Sequence, residues 1–189
     1  MTCIVAMKDT DGSVIMAGDT MATAGYNKTY RKDQKVFRLG EMLIGFTSSY
    51  RMGQLLRYSL KLPKHSKKMS TTEYMHTVFI EEVRETLAVG GYSHVESNIE
   101  RGGTFLVAYR SRIFKVSDDF QVAEAIDNYE SCGCGEDFAK AAFFTLKNVS
   151  VPPRLACTSA LGAATYFSAA VGGTFTIKRT KPRILKSQK

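Results

Sequence analysis

Histidine is scarce in this chain: His65, His76 and His94 are the only three. A histidine-based triad or metal centre therefore has few candidates. The four cysteines, Cys3, Cys132, Cys134 and Cys157, are scattered. They fit no disulfide framework, and a reducing compartment is expected. Cys132-x-Cys134 is too short and too isolated for a zinc site, which needs paired C-x₂₋₄-C spacing and further ligands. No apolar run approaches the ~18 residues of a membrane span. No basic region followed by an apolar segment opens the chain, so secretion is not expected and the cytoplasm is. No Gly-x-x-x-x-Gly-Lys stretch is present to cradle phosphate.

Cationic charge is plentiful. The formal net charge is +8, with clusters from Lys61 to Lys68 and over the last residues, Lys178 to Lys189. Such runs are most simply solvated loops and tails. Aromatic residues are not interleaved with them, so nucleic acid is not an expected partner. Apolar residues make up 44% of 189 residues, enough for one folded domain of ordinary size. We expect a single domain over 1–178 and a basic tail over 179–189.

The first stretch, Met1-Thr2-Cys3-Ile4-Val5-Ala6-Met7, carries the most chemistry. Aminopeptidases remove Met when a small side chain follows, which would leave Thr2 as the mature N-terminus. A free Thr holds a hydroxyl nucleophile and an α-amine of pKa ~7.7–8.0 in one residue. That pairing activates a weak nucleophile. Met-Thr by itself also opens many proteins with no such chemistry.

Residues 2–7, turn residues Asp9 to Gly12 and Val14 to Ala17 predict a hairpin. A loop is expected from Asp19 to Asp33. Lys35 to Leu39 and Met42 to Thr47 predict a second hairpin. Ser48 or Ser49 is expected to cap a helix carrying Met52, Leu55, Leu56 and Leu60. Ser70 to Glu73 resembles a capping box ahead of a helix with Tyr74, Val78, Phe79, Val83 and Leu87. A loop is expected over 92–103. Thr104 to Tyr109 and Arg112 to Val116 predict another hairpin, and Val122 to Ile126 a short strand. Ser131 to Asp137 reads as a Gly-rich turn into a helix buried along Phe138, Ala141, Ala142, Thr145 and Leu146. Pro152-Pro153 opens a last helix of small residues from Ala156 to Ala170. Thr174 to Ile177 predicts a final strand. Paired sheets with helix pairs outside would bury these faces.

Thr2-Cys3-Ile4-Val5, Ala17-Gly18-Asp19-Thr20-Met21-Ala22-Thr23, Lys35-Val36-Phe37-Arg38-Leu39, Ile44-Gly45-Phe46 and Gly133-Cys134-Gly135 with Phe138 to Ala142 form an ordered set. The set resembles β-type proteasome subunits, and most closely the HslV branch. The resemblance covers about the first three quarters of the chain. It implies an α+β, four-layer αββα sandwich of the N-terminal nucleophile hydrolases and a homo-oligomeric ring enclosing a chamber. It also implies a ring ATPase unfoldase as partner, unfolded polypeptides as substrates, and threonine-type endopeptidase activity. On that resemblance Thr2 is the nucleophile. Lys35 favours the alkoxide and keeps the amine neutral, and Asp19 holds Lys35. Ser48 supplies the oxyanion N–H where the family has Gly. Cys134 stands where the family has Ser near the threonine amine. Ser48 fits only if it adopts glycine-like dihedrals. After the last long helix, Thr165 to Gly173 carry no carboxylate, unlike classical proteasome subunits. The cation-binding turn of the HslV branch is not matched, so no metal and no cofactor are expected. An inactive ring subunit of the same fold and a small-molecule amidase are the alternatives.

Overall fold

The computed structural model describes residues 2–182. Met1, whose removal is expected, and the basic tail from 183 onward lie outside the described residues. The chain opens with strands β1 (Cys3–Lys8), β2 (Val14–Asp19), β3 (Met21–Ala24), β4 (Asn27–Tyr30), β5 (Val36–Leu39) and β6 (Met42–Phe46). Helix α1 (Tyr50–Tyr58) follows, then α2 (Thr71–Tyr74), a π-helical turn (Met75–Phe79) and α3 (Ile80–Val89). Next come β7 (His94–Glu96), β8 (Ile99–Arg101), β9 (Phe105–Tyr109), β10 (Arg112–Val116), β11 (Val122–Glu124) and β12 (Tyr129–Gly133). Helices α4 (Glu136–Leu146) and α5 (Pro153–Phe167) and strand β13 (Phe175–Arg179) complete it.

One antiparallel sheet has the order β12-β1-β2-β13 and the other β11-β10-β9-β6-β5. Alternate side chains of a strand point to opposite faces, and β1 shows what that does here. Ile4 and Ala6 pack between the sheets with Met16, Val36, Leu43 and Leu106. Cys3 and Val5 pack outward with Phe143, Ala160 and Ala164 of α4 and α5. Both faces of β1 are therefore buried, so its sequence alternates poorly. On the other side, Leu55 and Leu56 of α1 and Val83 of α3 cover Phe105, Val107 and Phe114 of the second sheet. The result is a four-layer αββα sandwich, as the resemblance implies. The sheets approach closely at Gly45, where a Cβ would stand 2.5 Å from Ile4 Cγ2 and 2.8 Å from Met16 Sδ.

Ser49 caps α1, its Oγ accepting from Arg51 N. Ser70 caps the second helical stretch, its Oγ accepting from Glu73 N. Several features differ from the sequence reading. The expected loop from Asp19 to Asp33 contains the β3–β4 hairpin, and that over 92–103 contains β7–β8. Both hairpins are largely exposed, so no buried face patterns their sequence. Strand β12 begins the stretch read as a turn. Its Glu130 and Ser131 carry no apolar signal, yet it pairs along β1 from Met7 to Cys3. In α4 the buried residues are Ala139 and Phe143, while Phe138 is exposed; two phenylalanine faces compete for the same period. Helix α5 ends at Phe167, not Ala170. Arg179, the first residue expected in the tail, closes β13 and pairs with Asp9 and Asp11.

Candidate active site

The antiparallel registers bring one end of each sheet together. Thr2 precedes β1, Asp19 closes β2 opposite Phe175, and Lys35 precedes β5. Thr47 follows β6, Thr104 precedes β9, and Gly133 closes β12 opposite Cys3. Strand ends of the first and second halves of the chain thus meet around Thr2, which is 3% exposed.

Behind Thr2 lies a buried ion pair. Lys35 Nζ is 2.9 Å from Asp19 Oδ1, and the two residues are 2% and 0% exposed. Lys35 also donates to the Met21 carbonyl at 2.5 Å. Asp19 Oδ1 accepts as well from Cys3 N at 3.1 Å, and Oδ2 from Gly172 N at 3.2 Å. The ammonium and the amide next to Thr2 therefore share one carboxylate oxygen. The loop after α5, which lacks a carboxylate of its own, reaches this group through the Gly172 amide. Burial lowers the Lys35 pKa, and the facing Asp19 carboxylate opposes that shift. Desolvation of this kind makes an ammonium easier to deprotonate than a surface lysine. Neighbouring Lys32 is exposed and Arg31 forms an exposed pair with Asp33. Lys35 is thus not one more solvated cation of that loop.

Ser48 has φ of 56°, the left-handed region. A non-glycine residue is disfavoured there by roughly 1–2 kcal/mol. Local bonds hold it: Ser48 Oγ accepts from Thr104 N at 3.1 Å. Thr47 N and Thr47 Oγ1 both donate to the Thr104 carbonyl, at 3.0 and 2.8 Å. Ser48 takes the backbone shape that glycine would take. Gly133 is required for a different reason. Its φ is 98°, and a Cβ would stand 2.3 Å from the Thr2 carbonyl oxygen.

Thr2, Ser48 and Cys134 line one cleft of about 520 Å³, and Asp19 and Lys35 sit behind it. The structure thus brings together all five residues singled out from the sequence. Cys134 is an exposed free thiol, whereas Cys3, Cys132 and Cys157 are buried. Burial pushes the thiols of Cys3 and Cys157 up to about 12 and that of Cys132 well above its ordinary value. Those three are inert as nucleophiles, because the thiolate is the reactive form. Sequence reasoning missed the rest of the wall: Thr47, Thr104, Asp118 and the Lys115–Glu136 ion pair of 2.8 Å. A polar residue inside the apolar run of β10 was the available signal for Lys115. Among the described residues, no group of three or more His, Cys, Asp or Glu could hold a metal ion.

No model of a known protein family and no curated protein sequence matches the chain significantly. Solved structures do. BPH of Thiobacillus denitrificans in complex with epoxomicin matches with TM-score 0.80 and 18% identity, over 96% of this chain and 100% of that one. HslV from Trypanosoma brucei matches with TM-score 0.70 and 18% identity, over 94% and 98% of the two chains. Anbu, an ancestral beta-subunit from Yersinia bercovieri, matches with TM-score 0.63 and 16% identity, over 95% and 81%. The chain has the fold of these proteins along nearly its whole length.

Proposed function

We propose that this chain, with the αββα fold of HslV and BPH, is a threonine-type endopeptidase subunit whose nucleophile is Thr2 after removal of Met1. The observation that carries the proposal is the buried Asp19 carboxylate. It holds the Lys35 ammonium and the Cys3 amide on one oxygen, directly beside Thr2. A fully buried ion pair is weak evidence for stability, since desolvation can exceed the attraction. Its presence beside a candidate nucleophile favours a chemical role.

The steps follow from the groups present. The freed Thr2 α-amine takes the hydroxyl proton as Oγ1 attacks the scissile carbonyl. Lys35 stabilises the developing alkoxide and disfavours protonation of the amine. The tetrahedral oxyanion takes the Ser48 N–H, and preorganised donors of this kind are worth about 10²–10³ in rate. Collapse expels the amine product, which leaves with the proton from the α-amine, and an ester on Thr2 remains. The α-amine then activates water to release the acid. Cys134 flanks the site as a weaker hydrogen-bonding partner than a hydroxyl. The experiment is hydrolysis of a fluorogenic peptide by protein whose intact mass shows loss of Met1. Epoxomicin, the ligand of the BPH complex, should block it. An unblocked N-terminal Thr that turns over no peptide and ignores epoxomicin leaves the inactive-subunit reading.

Ser48 gives a sharper check. Ser48→Ala keeps the Cβ in the left-handed region and removes the hydroxyl that accepts from Thr104 N. Peptide hydrolysis should fall roughly tenfold or more, because the amide loses its aim. Ser48→Gly removes the Cβ conflict and should rescue most of that loss. Equal activity in Ala and Gly variants would remove Ser48 from the oxyanion site.

Under the same reading the chain forms a homo-oligomeric ring in the cytoplasm, fed with unfolded polypeptide by a ring ATPase. Among the described residues no helix is long and apolar enough to cross a membrane. Outer residues of α4 and α5 support self-association: Phe144, Leu155, Tyr166 and Phe167 are exposed, and Phe138 stacks on Phe167 at 5.5 Å. Exposed apolar side chains gathered on one helical layer, three of them in ring contact, commonly mark an interface. Light scattering should report an assembly several times the 20.9 kDa chain mass. A monomer at working concentration would count against the ring.

A further inference from the structure

The end of the sandwich opposite Thr2 carries a second concave site that the peptidase reading does not use. The register fixes its place: Phe175 pairs with Asp19 at the Thr2 end, and Arg179 with Ile15 at the other. There the β5–β6 turn, the β9–β10 turn and the end of β13 enclose about 520 Å³. Arg38, Arg110 and Lys181 line it, with the hydroxyl residues Ser111 and Thr180 and one carboxylate, Glu41. The loop from Lys61 to Lys68 lies against it, because Leu62 Cδ1 is 3.1 Å from a Cβ built on Gly40.

Among the described residues neither guanidinium meets a carboxylate. Arg38 Nη2 donates to the Arg179 carbonyl at 2.5 Å. Arg110 covers the Tyr109 ring at 5.2 Å, with Nη1 3.5 Å from His65 Nε2. The imidazole is itself fixed, by Tyr109 Oη at 2.9 Å and the Met69 carbonyl at 3.0 Å. Among the described residues none of Arg38, Arg110, Lys181 or the four loop lysines forms an ion pair. Asp9 and Asp11, at the same end, are already engaged by Arg179. Arg110 and Ser111 both have positive φ, 48° and 64°, without a glycine. Both are central residues of a two-residue hairpin between Tyr109 and Arg112, whose tight turn takes positive φ at each and so fixes where the Arg110 and Ser111 side chains start.

We propose that this pocket binds a ligand carrying two or more adjacent phosphate groups. Guanidinium forks match phosphate oxygens in pairs, and two forks, an ammonium and two hydroxyls suit more than one such group. Among the described residues no aromatic face lines the pocket, so a stacked base is not part of the recognition. An acidic peptide would present carboxylates on separate, mobile side chains, a poorer match to fixed forks in one small pocket.

The test is isothermal titration calorimetry of the assembled protein with tripolyphosphate, ATP and a penta-glutamate peptide. Tripolyphosphate should bind. ATP of similar affinity shows that phosphates alone are read, and tighter ATP assigns a nucleotide as the source. Arg38→Ala and Arg110→Ala should each weaken binding roughly tenfold or more, the size of one lost charge-assisted hydrogen bond. Glu41→Gln should strengthen it, and Lys28→Ala, on the exposed β3–β4 hairpin at the Thr2 end, should leave it unchanged. Circular dichroism confirms that each variant is folded. The proposal is overturned by absence of tripolyphosphate binding, by equal or tighter binding of penta-glutamate, or by insensitivity to both arginine substitutions.

Discussion

Thr2→Ala should reduce peptide hydrolysis by roughly 10⁴–10⁶-fold, the range seen when a nucleophile is deleted. Thr2 is buried and belongs to no apolar core cluster. The substitution removes a hydroxyl and a methyl just before β1 without touching the β1–β12 pairing, which begins at Cys3, or the β1–β2 pairing, which begins at Ile4. Fold and assembly should therefore survive, and near-native melting with lost activity is the expected pair of results. Thr2→Ser keeps both hydroxyl and amine and should retain measurable turnover. A chain that keeps Met1 has an amide nitrogen at Thr2, which cannot act as base, so it should match Thr2→Ala. Intact mass read beside activity separates failure of processing from failure of chemistry. Wild-type-like hydrolysis by Thr2→Ala would end the assignment of Thr2.

The N-terminal half of the site was more legible in the sequence than the rest, and the reasons are physical. Asp19 and Lys35 sit at the ends of strands with strong β-forming runs, Val14 to Ala17 and Val36 to Leu39, so their places could be read. Their pairing could not be read from pattern, because 16 residues separate them and only the packing of two sheets joins them. A solvated Lys35 had the same support from pattern alone. Cys134 was visible through its glycine neighbours, but β12 was not. Its pairing with β1 provides the burial that its own polar residues do not advertise. Ser48 shows the reverse case. Its left-handed backbone contradicts its residue type, and the bonds that Thr47 and Ser48 make to Thr104, 56 residues beyond Ser48, account for it. The exposed hairpins β3–β4 and β7–β8 went unread because no buried face imposes a period of two on them.

Lys35→Met should abolish hydrolysis and also destabilise the fold, and the two effects can be separated. The substitution leaves Asp19 buried, with the amides of Cys3 and Gly172 as its remaining partners. Breaking one side of a buried pair costs about 3–5 kcal/mol. Lys35→Arg retains the charge, but a planar fork replaces a compact ammonium that meets Asp19 Oδ1 and the Met21 carbonyl together. It too should lose activity by orders of magnitude. Lys32→Arg, at an exposed position of the same loop, should change stability by no more than about 0.5 kcal/mol and leave turnover intact. The double substitution Asp19→Asn, Lys35→Met decides between support and chemistry. The carboxamide introduced by Asp19→Asn would keep an oxygen for the Cys3 amide while removing the unpaired charge, so much of the lost stability should return. Activity should not return, because no ammonium faces the alkoxide on Thr2. The measurements are thermal unfolding and fluorogenic peptide hydrolysis on the same Met-trimmed preparations, each checked for assembly. Recovery of both stability and turnover in the double variant would mean that Lys35 only holds Asp19 in place. Equal, full activity in Lys35→Arg and Lys32→Arg would remove Lys35 from the mechanism altogether.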